Sequence, residues 1–348
     1  MTRHLRPAAL LCSIAFTLFS GVQAQARPLQ VVASFSIIAD MARHVGGDRI
    51  QLTTLVGPDS DIHAYEPRPS DAMSLARADV VLVNGLHLEG FLPRLVRASG
   101  SRAPVVELSR GTELLESAEE EDGHGHAHHH HGKYDPHAWQ SVRNAQVYVK
   151  NIQQALCAAD RQGCDTYRAN AQAYLGELRA LDGEIATMMR AIPAGKRRII
   201  TSHDGFGHFG HAYGITFLGA EGLSTQSEPS AAGIAALISQ AKEQKVAAIF
   251  AENITDTRLI QRIAAETGLR VQGTLYSDAL SGAGGPASTY IDMMRHNANA
   301  IRQAVGAAGH SVTEAAPAVG YANLSHFSKS FRDAHGMPPS QWGRRAEA

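Results

Sequence analysis

Only three cysteines and two tryptophans occur in the 348 residues, and aromatic residues make up just 6 % of the chain. No two cysteines form a CxxC pair, which argues against thiolate metal chemistry. Neither charge sign dominates. The formal net charge of -1 gives no electrostatic reason to expect nucleic acid or an anionic membrane as partner. Neither HExxH nor GxSxG occurs, so the common zinc-hydrolase and serine-hydrolase arrangements have no anchor. The one marked apolar run, Ala8 to Phe19, is shorter than the roughly 20 residues needed to span a bilayer.

What is present begins with that run. Arg3, His4 and Arg6 precede it and Ala24-Gln25-Ala26 follows, the order of a cleavable secretory signal over residues 1–26. Cys12 lies inside the run and is not read as a lipoprotein cysteine. In an exported chain, Cys157 and Cys164 are expected to form a disulfide that closes a helix–helix turn.

Beyond residue 27 strand-like and helix-like patterns alternate. Strands are predicted at 30–36, 50–56, 80–83 and 105–108, with helices at 37–45, 70–76 and 92–98; Ser70 is read as the N-cap of the second. Residues 117–133 are acidic and histidine-rich, cannot bury a core, and are expected to be disordered. Helical spacing returns over 141–159, and one long helix covers 165–192. The alternation then restarts, with strands at 198–202, 215–218, 246–251 and 269–274 and helices at 231–244, 257–267 and 289–305. This rhythm predicts an α/β protein with two lobes, 27–164 and 193–306. Each carries a mostly parallel sheet flanked by helices, and one long rigid helix joins them.

Histidine is the abundant chemical group, with 18 in all. His124, His126, His128, His129, His130 and His131 form a loose run read as an accessory metal-collecting tether, and Asp135-Pro136-His137 follows as a rigid turn. His63 lies in the loop after the second strand, His203 directly follows the strand at 198–202, and Asp278 follows the last strand. Open α/β sheets bind ligands beyond the carboxyl ends of their strands, so these four side chains can meet between the lobes. Alone, each is an ordinary loop residue. Together, three imidazoles and one carboxylate suit tetrahedral zinc. A closed four-ligand cage leaves no open position for water, which argues for capture rather than catalysis. Its histidines must be neutral to bind, so affinity should fall below about pH 6.5.

Asp61–Ser70 (DIHAYEPRPS), Asn84–Gly90 (NGLHLEG), Asp135–Trp139 (DPHAW), Thr201–Gly207 (TSHDGFG), Phe250–Ile254 (FAENI), Leu275–Ser281 (LYSDALS) and Tyr290–His296 (YIDMMRH) resemble, in order, the zinc and manganese receptors of bacterial ABC importers. This is the ZnuA/TroA-like, or cluster A-I, family, and the resemblance is nearest to AztC-type zinc receptors. It implies a monomeric periplasmic solute-binding protein that carries Zn2+ to an inner-membrane permease. A periplasmic zinc chaperone is a further expected partner, and nucleic acid is not. The matching ligands are His63, His137, His203 and Asp278. Manganese-preferring members carry Glu at the third position; His203 there favours zinc over Mn2+. His87 stands where many relatives carry Gly and is read as a surface or supporting histidine.

Residues 311–345 resemble the second helix-turn-helix of AraC/XylS-type regulators, through Val319-Gly320-Tyr321, Ser325 to Phe331 and Gly336 to Trp342. Pro317 interrupts its first helix and its basic footprint is slight, so a short helical appendage is expected. The alternative function is a metal-responsive transcription regulator that uses these helices on DNA.

Overall fold

The computed structural model describes residues 27–117, 132–226, 229–306 and 324–335. The expected signal peptide, the tether histidines His124 to His131 and most of the 311–345 segment lie outside the described residues. Within them the chain builds two α/β lobes around parallel four-stranded sheets.

The first lobe runs β1 (Leu29–Phe35), α1 (Ser36–Gly46), β2 (Ile50–Val56), α2 (Pro69–Arg77), β3 (Val80–Val83), α3 (Leu92–Ser99) and β4 (Val105–Glu107). Its strand order is β2-β1-β3-β4. The central strands β1 and β3 are mostly apolar and almost wholly buried, as strands covered on both faces must be. The second lobe repeats the plan with β5 (Arg198–His203), β6 (Thr216–Glu221), β7 (Ala248–Glu252) and β8 (Val271–Leu275), in the order β6-β5-β7-β8. In each sheet the winding direction reverses between the two central strands, β1 and β3 in one and β5 and β7 in the other. A crevice opens beyond the strand ends at such a point.

Two helices hold the lobes: α4 (Val142–Ala159) and α5 (Cys164–Arg190), joined by a turn that the Cys157–Cys164 disulfide closes. Along α5 the buried residues Tyr167, Ala171, Tyr174, Leu178, Leu181, Ile185 and Met189 recur every three or four positions, which turns one continuous stripe inward. At 27 residues the helix is about 40 Å long. Its stripe belongs to a single apolar cluster that includes Phe35 and Val81 of the first lobe, Phe206, Phe209 and Phe250 of the second, and Met293 and Met294 of that lobe's last helix. A smaller cluster, with Ile200, Ile249, Leu237 and Ile260, fills the far side of the second sheet. Of this lobe's helices, α6 (Gly207–Tyr213) packs on the shared cluster, α7 (Ala231–Glu243) and α8 (Thr257–Thr267) on the smaller one, and α9 (Tyr290–Gly306) on the shared cluster again.

One local expectation is corrected. Helix α2 begins at Pro69, and Arg68 rather than Ser70 occupies the cap position. Proline's fixed φ suits the first helical turn, and the Asp71 carboxylate reaches back to accept the Arg68 N–H at 2.6 Å. In the C-terminal segment α10 (Leu324–His335) is helical, and it covers the Ser325 to Phe331 stretch of the expected recognition helix. Among the described residues no helix is long and apolar enough to cross a membrane.

Candidate metal centre

Two of the four predicted ligands are set by the same local device. In Asp61-Ile62-His63 the Asp61 Oδ1 accepts the His63 N–H at 2.8 Å, and in Asp135-Pro136-His137 the Asp135 Oδ1 accepts the His137 N–H at 2.9 Å. Each aspartate thereby folds a tight side-chain turn that fixes the histidine two residues on. The second lobe uses strand ends instead. His203 is the last residue of β5 and Glu252 the last of β7, adjacent strands at the reversal point, and the Glu252 Oε1 accepts the His203 N–H at 2.9 Å. Asp278 lies three residues past β8. The Ser277 carbonyl beside it accepts from Trp139 Nε1 at 3.0 Å and Gln140 Nε2 at 2.7 Å, which fastens this loop to the His137 turn of the other lobe.

These devices bring all four side chains together, with one ligand atom of each within 4.8 Å of the others. His63 Nε2 stands 3.3 Å from His137 Nε2 and 3.0 Å from Asp278 Oδ2. His203 Nε2 stands 3.4 Å from His137 Nε2 and 3.3 Å from Asp278 Oδ2, and His137 Nε2 is 3.7 Å from the same oxygen. A tetrahedron with donors about 2.0–2.1 Å from its centre has edges of about 3.3–3.4 Å, so these separations bracket the spacing a four-coordinate zinc requires.

The outer nitrogens are committed. His137 Nδ1 lies 2.7 Å from Asp135 Oδ1, and His203 Nδ1 lies 2.6 Å from Glu252 Oε2. A ring that donates its Nδ1–H to a carboxylate turns the Nε2 lone pair inward, the tautomer a metal ligand needs. In the sequence Asp135 reads only as part of the rigid turn before His137, and Asp61 and Glu252 carry no assigned role. The repeated D-x-H spacing was the available signal for the first two; for Glu252 it was a carboxylate ending a strand.

Without an ion the cage is a cluster of coupled charges. Burial works against protonation of His137, but Asp278 and Asp135 outweigh it and hold the ring at about 9. Burial likewise opposes the charge on His203, yet Glu252 and Asp278 push it well above the ordinary imidazole range. His63 moves the other way, depressed by burial and by the neighbouring rings. Burial would raise Asp278, but His203 and His137 hold it well below the usual carboxylate range. The expected fall in affinity below about pH 6.5 therefore starts higher, because His137 keeps its proton beyond neutrality. Among the described residues Asp278 Oδ1 is buried with no hydrogen-bond partner, a further oxygen turned to the cage.

Two glycines of the TSHDGFG phrase are explained by close approach. A Cβ on Gly205 would fall 2.5 Å from His203 Cε1, and one on Gly207 would fall 2.5 Å from Asp135 Oδ2. Among the described residues, three further histidines nearby stay outside the cage. His208 is buried but committed, donating to the Asp135 carbonyl at 3.2 Å and accepting from Asn144 Nδ2 at 3.3 Å. His211 pairs with Glu113 on the surface, and His87 is exposed.

Comparison with known proteins gives a consistent answer. Residues 31–304 match the ZnuA family, described as zinc-uptake complex component A, periplasmic. The manganese-binding lipoprotein MntA of Halalkalibacterium halodurans is 36 % identical over 278 residues, 80 % of this chain and 89 % of that protein. The iron-binding protein YfeA of Yersinia pestis is 30 % identical over 310 residues, 87 % of this chain and 97 % of that one. Among solved structures, the periplasmic zinc-binding protein TroA of Treponema pallidum superposes with a TM-score of 0.73 at 30 % identity, covering 80 % of this chain and 99 % of the other.

Proposed function

Since the chain belongs to the ZnuA family of periplasmic zinc-uptake components, we propose that it captures Zn2+ between its lobes and delivers it to an ABC permease in the inner membrane. The chain is a binding component of transport, not an enzyme. The observation that carries the reading is the convergence of His63, His137, His203 and Asp278 at 3.0–3.7 Å, buried and drawn from both lobes.

The relatives' names include manganese, iron and zinc binders, so the choice of metal rests on the donors of this chain. Three imidazole nitrogens and one carboxylate favour Zn2+ over Mn2+, because affinity for nitrogen donors rises along the divalent series from manganese toward copper and zinc. The Asp135 and Glu252 carboxylates strengthen this preference by making two of the rings more basic. The protein is read as an exported monomer of AztC type, with residues 1–26 removed and a periplasmic zinc chaperone as a source of cargo. His124, His126 and His128 to His131 raise the local zinc concentration near the cleft. The C-terminal segment lies beyond residues 31–304, and membership of a transport family gives no reason to assign it DNA binding.

Native mass spectrometry of the mature protein with zinc and with manganese tests the reading. One tightly held zinc should persist when residues 118–131 are deleted and vanish in His203→Ala. Retention of that zinc in the substituted protein would overturn the assignment.

A further inference from the structure

The cage leaves one neighbouring histidine without a role. His137, His203 and Asp278 have fully buried side chains, whereas that of His63 is 6 % exposed. An ion therefore reaches the cage past His63. On that side lies a cavity of about 240 Å³ whose wall includes His63, His87, Tyr134, Pro136, Ser224 and Gln226. His87 forms its solvent-exposed rim.

Three features hold the His87 imidazole there. The backbone takes left-handed values at three residues in succession, with φ of 85° at Gly85, 53° at Leu86 and 65° at His87. Leucine and histidine adopt such values only where the surroundings fix them, and such strain concentrates at functional positions. The fixing group is the buried Glu89. Its carboxylate accepts the Asn84 N–H at 2.6 Å, the Gly85 N–H at 3.2 Å and the Ser34 hydroxyl at 2.6 Å. Asn84 in turn donates to the Pro136 carbonyl at 2.9 Å, so the strained turn is tied to the residue preceding the ligand His137. The ring itself rests on Gly132, where a Cβ would come within 2.9 Å of His87 Cδ2. Gly132 is also the residue that follows His131 in the sequence. Among the described residues His87 makes no hydrogen bond.

We infer that His87 is a receiving ligand on the loading path: it takes an imidazole-seeking divalent cation at the mouth of the cavity and passes it to His63. The inference rests on the zinc-capture reading above. A group that acts only on the path lowers one barrier from both sides, so it speeds loading and release equally and leaves the dissociation constant alone.

His87→Asn tests this in the full mature chain, because asparagine tolerates the left-handed backbone while its amide is a poor zinc ligand. Stopped-flow mixing with Zn2+ should show loading slowed about tenfold, and chelator-driven release slowed by the same factor. The equilibrium dissociation constant and the melting temperature should stay at wild-type values. His87→Gly, which keeps the backbone and removes the ring, should slow both rates equally. Wild-type loading rates in both variants would overturn the proposal, as would a weakened dissociation constant with unchanged loading. Failure of the unsubstituted chain to bind zinc would instead overturn the capture reading, so the two failures are distinguishable.

Discussion

Raising the pH from 6.5 to 8.5 should tighten zinc binding steeply, where a cage of ordinary imidazoles would level off. An unperturbed histidine loses its proton near 6.5, so proton competition would be finished by about pH 7.5. Here His137 is held at about 9 by Asp278 and Asp135 against the opposing effect of burial. Zinc must displace that proton throughout the interval. The sign follows directly: a raised pKa in the empty protein means weaker binding at low pH and a gain with every step upward. Each unit of pH is worth about tenfold in affinity, or about 1.4 kcal/mol, for one competing proton, so the two units amount to about 100-fold from His137 alone. His203, also held high by Glu252 and Asp278, steepens the slope toward two protons. Competition against a chelator of known protonation gives the affinities. Calorimetry at pH 7.5 in two buffers of different ionisation heat counts the protons, and between one and two should leave per zinc. A flat affinity above pH 7 with no proton released would refute the electrostatic account of the cage.

Other consequences can be checked separately. Glu252→Gln should weaken zinc binding about 10–100-fold, because an amide donating to His203 Nδ1 leaves the proton on the inward Nε2; the binding isotherm measures it. Gly205→Ala should also weaken binding while the fold persists, since its methyl group meets the His203 ring; unchanged affinity by titration would contradict the packing described. Replacing both Cys157 and Cys164 with serine removes a short loop closure remote from the cage. Stability should fall by about 2–3 kcal/mol in denaturant unfolding at constant zinc affinity.

The elements that sequence patterns marked well are those whose burial writes a period into the chain. Strands β2 and β3 and helix α8 fall at their expected bounds, and α5 differs by one residue at its start and two at its end. Departures came where tertiary neighbours set the limits. Strand β5 extends through His203 because Glu252 on β7 secures that residue's backbone, and β7 starts later than its apolar run. Helix α2 shifted to Pro69 because a reaching Asp71 outcompeted Ser70 as the capping group. The four cage residues were legible as a set because each sits in a loop after a strand or at the start of a helix. Their carboxylate supports were less so, since nothing in a linear string shows that Glu252 ends beside His203. The left-handed turn at Gly85 to His87 was invisible: leucine and histidine carry no composition signal for it, and Glu89 fixes it through burial.

The apolar cluster shared by both lobes has a bearing on how the cargo leaves. Prising the halves apart would bring Phe35, Phe206 and the inner stripe of α5 into water, and each 100 Å² of such surface costs about 2.5 kcal/mol. Withdrawing donors one after another exposes far less. Release by stepwise ligand exchange, beginning at the outermost imidazole, would leave that shared cluster intact.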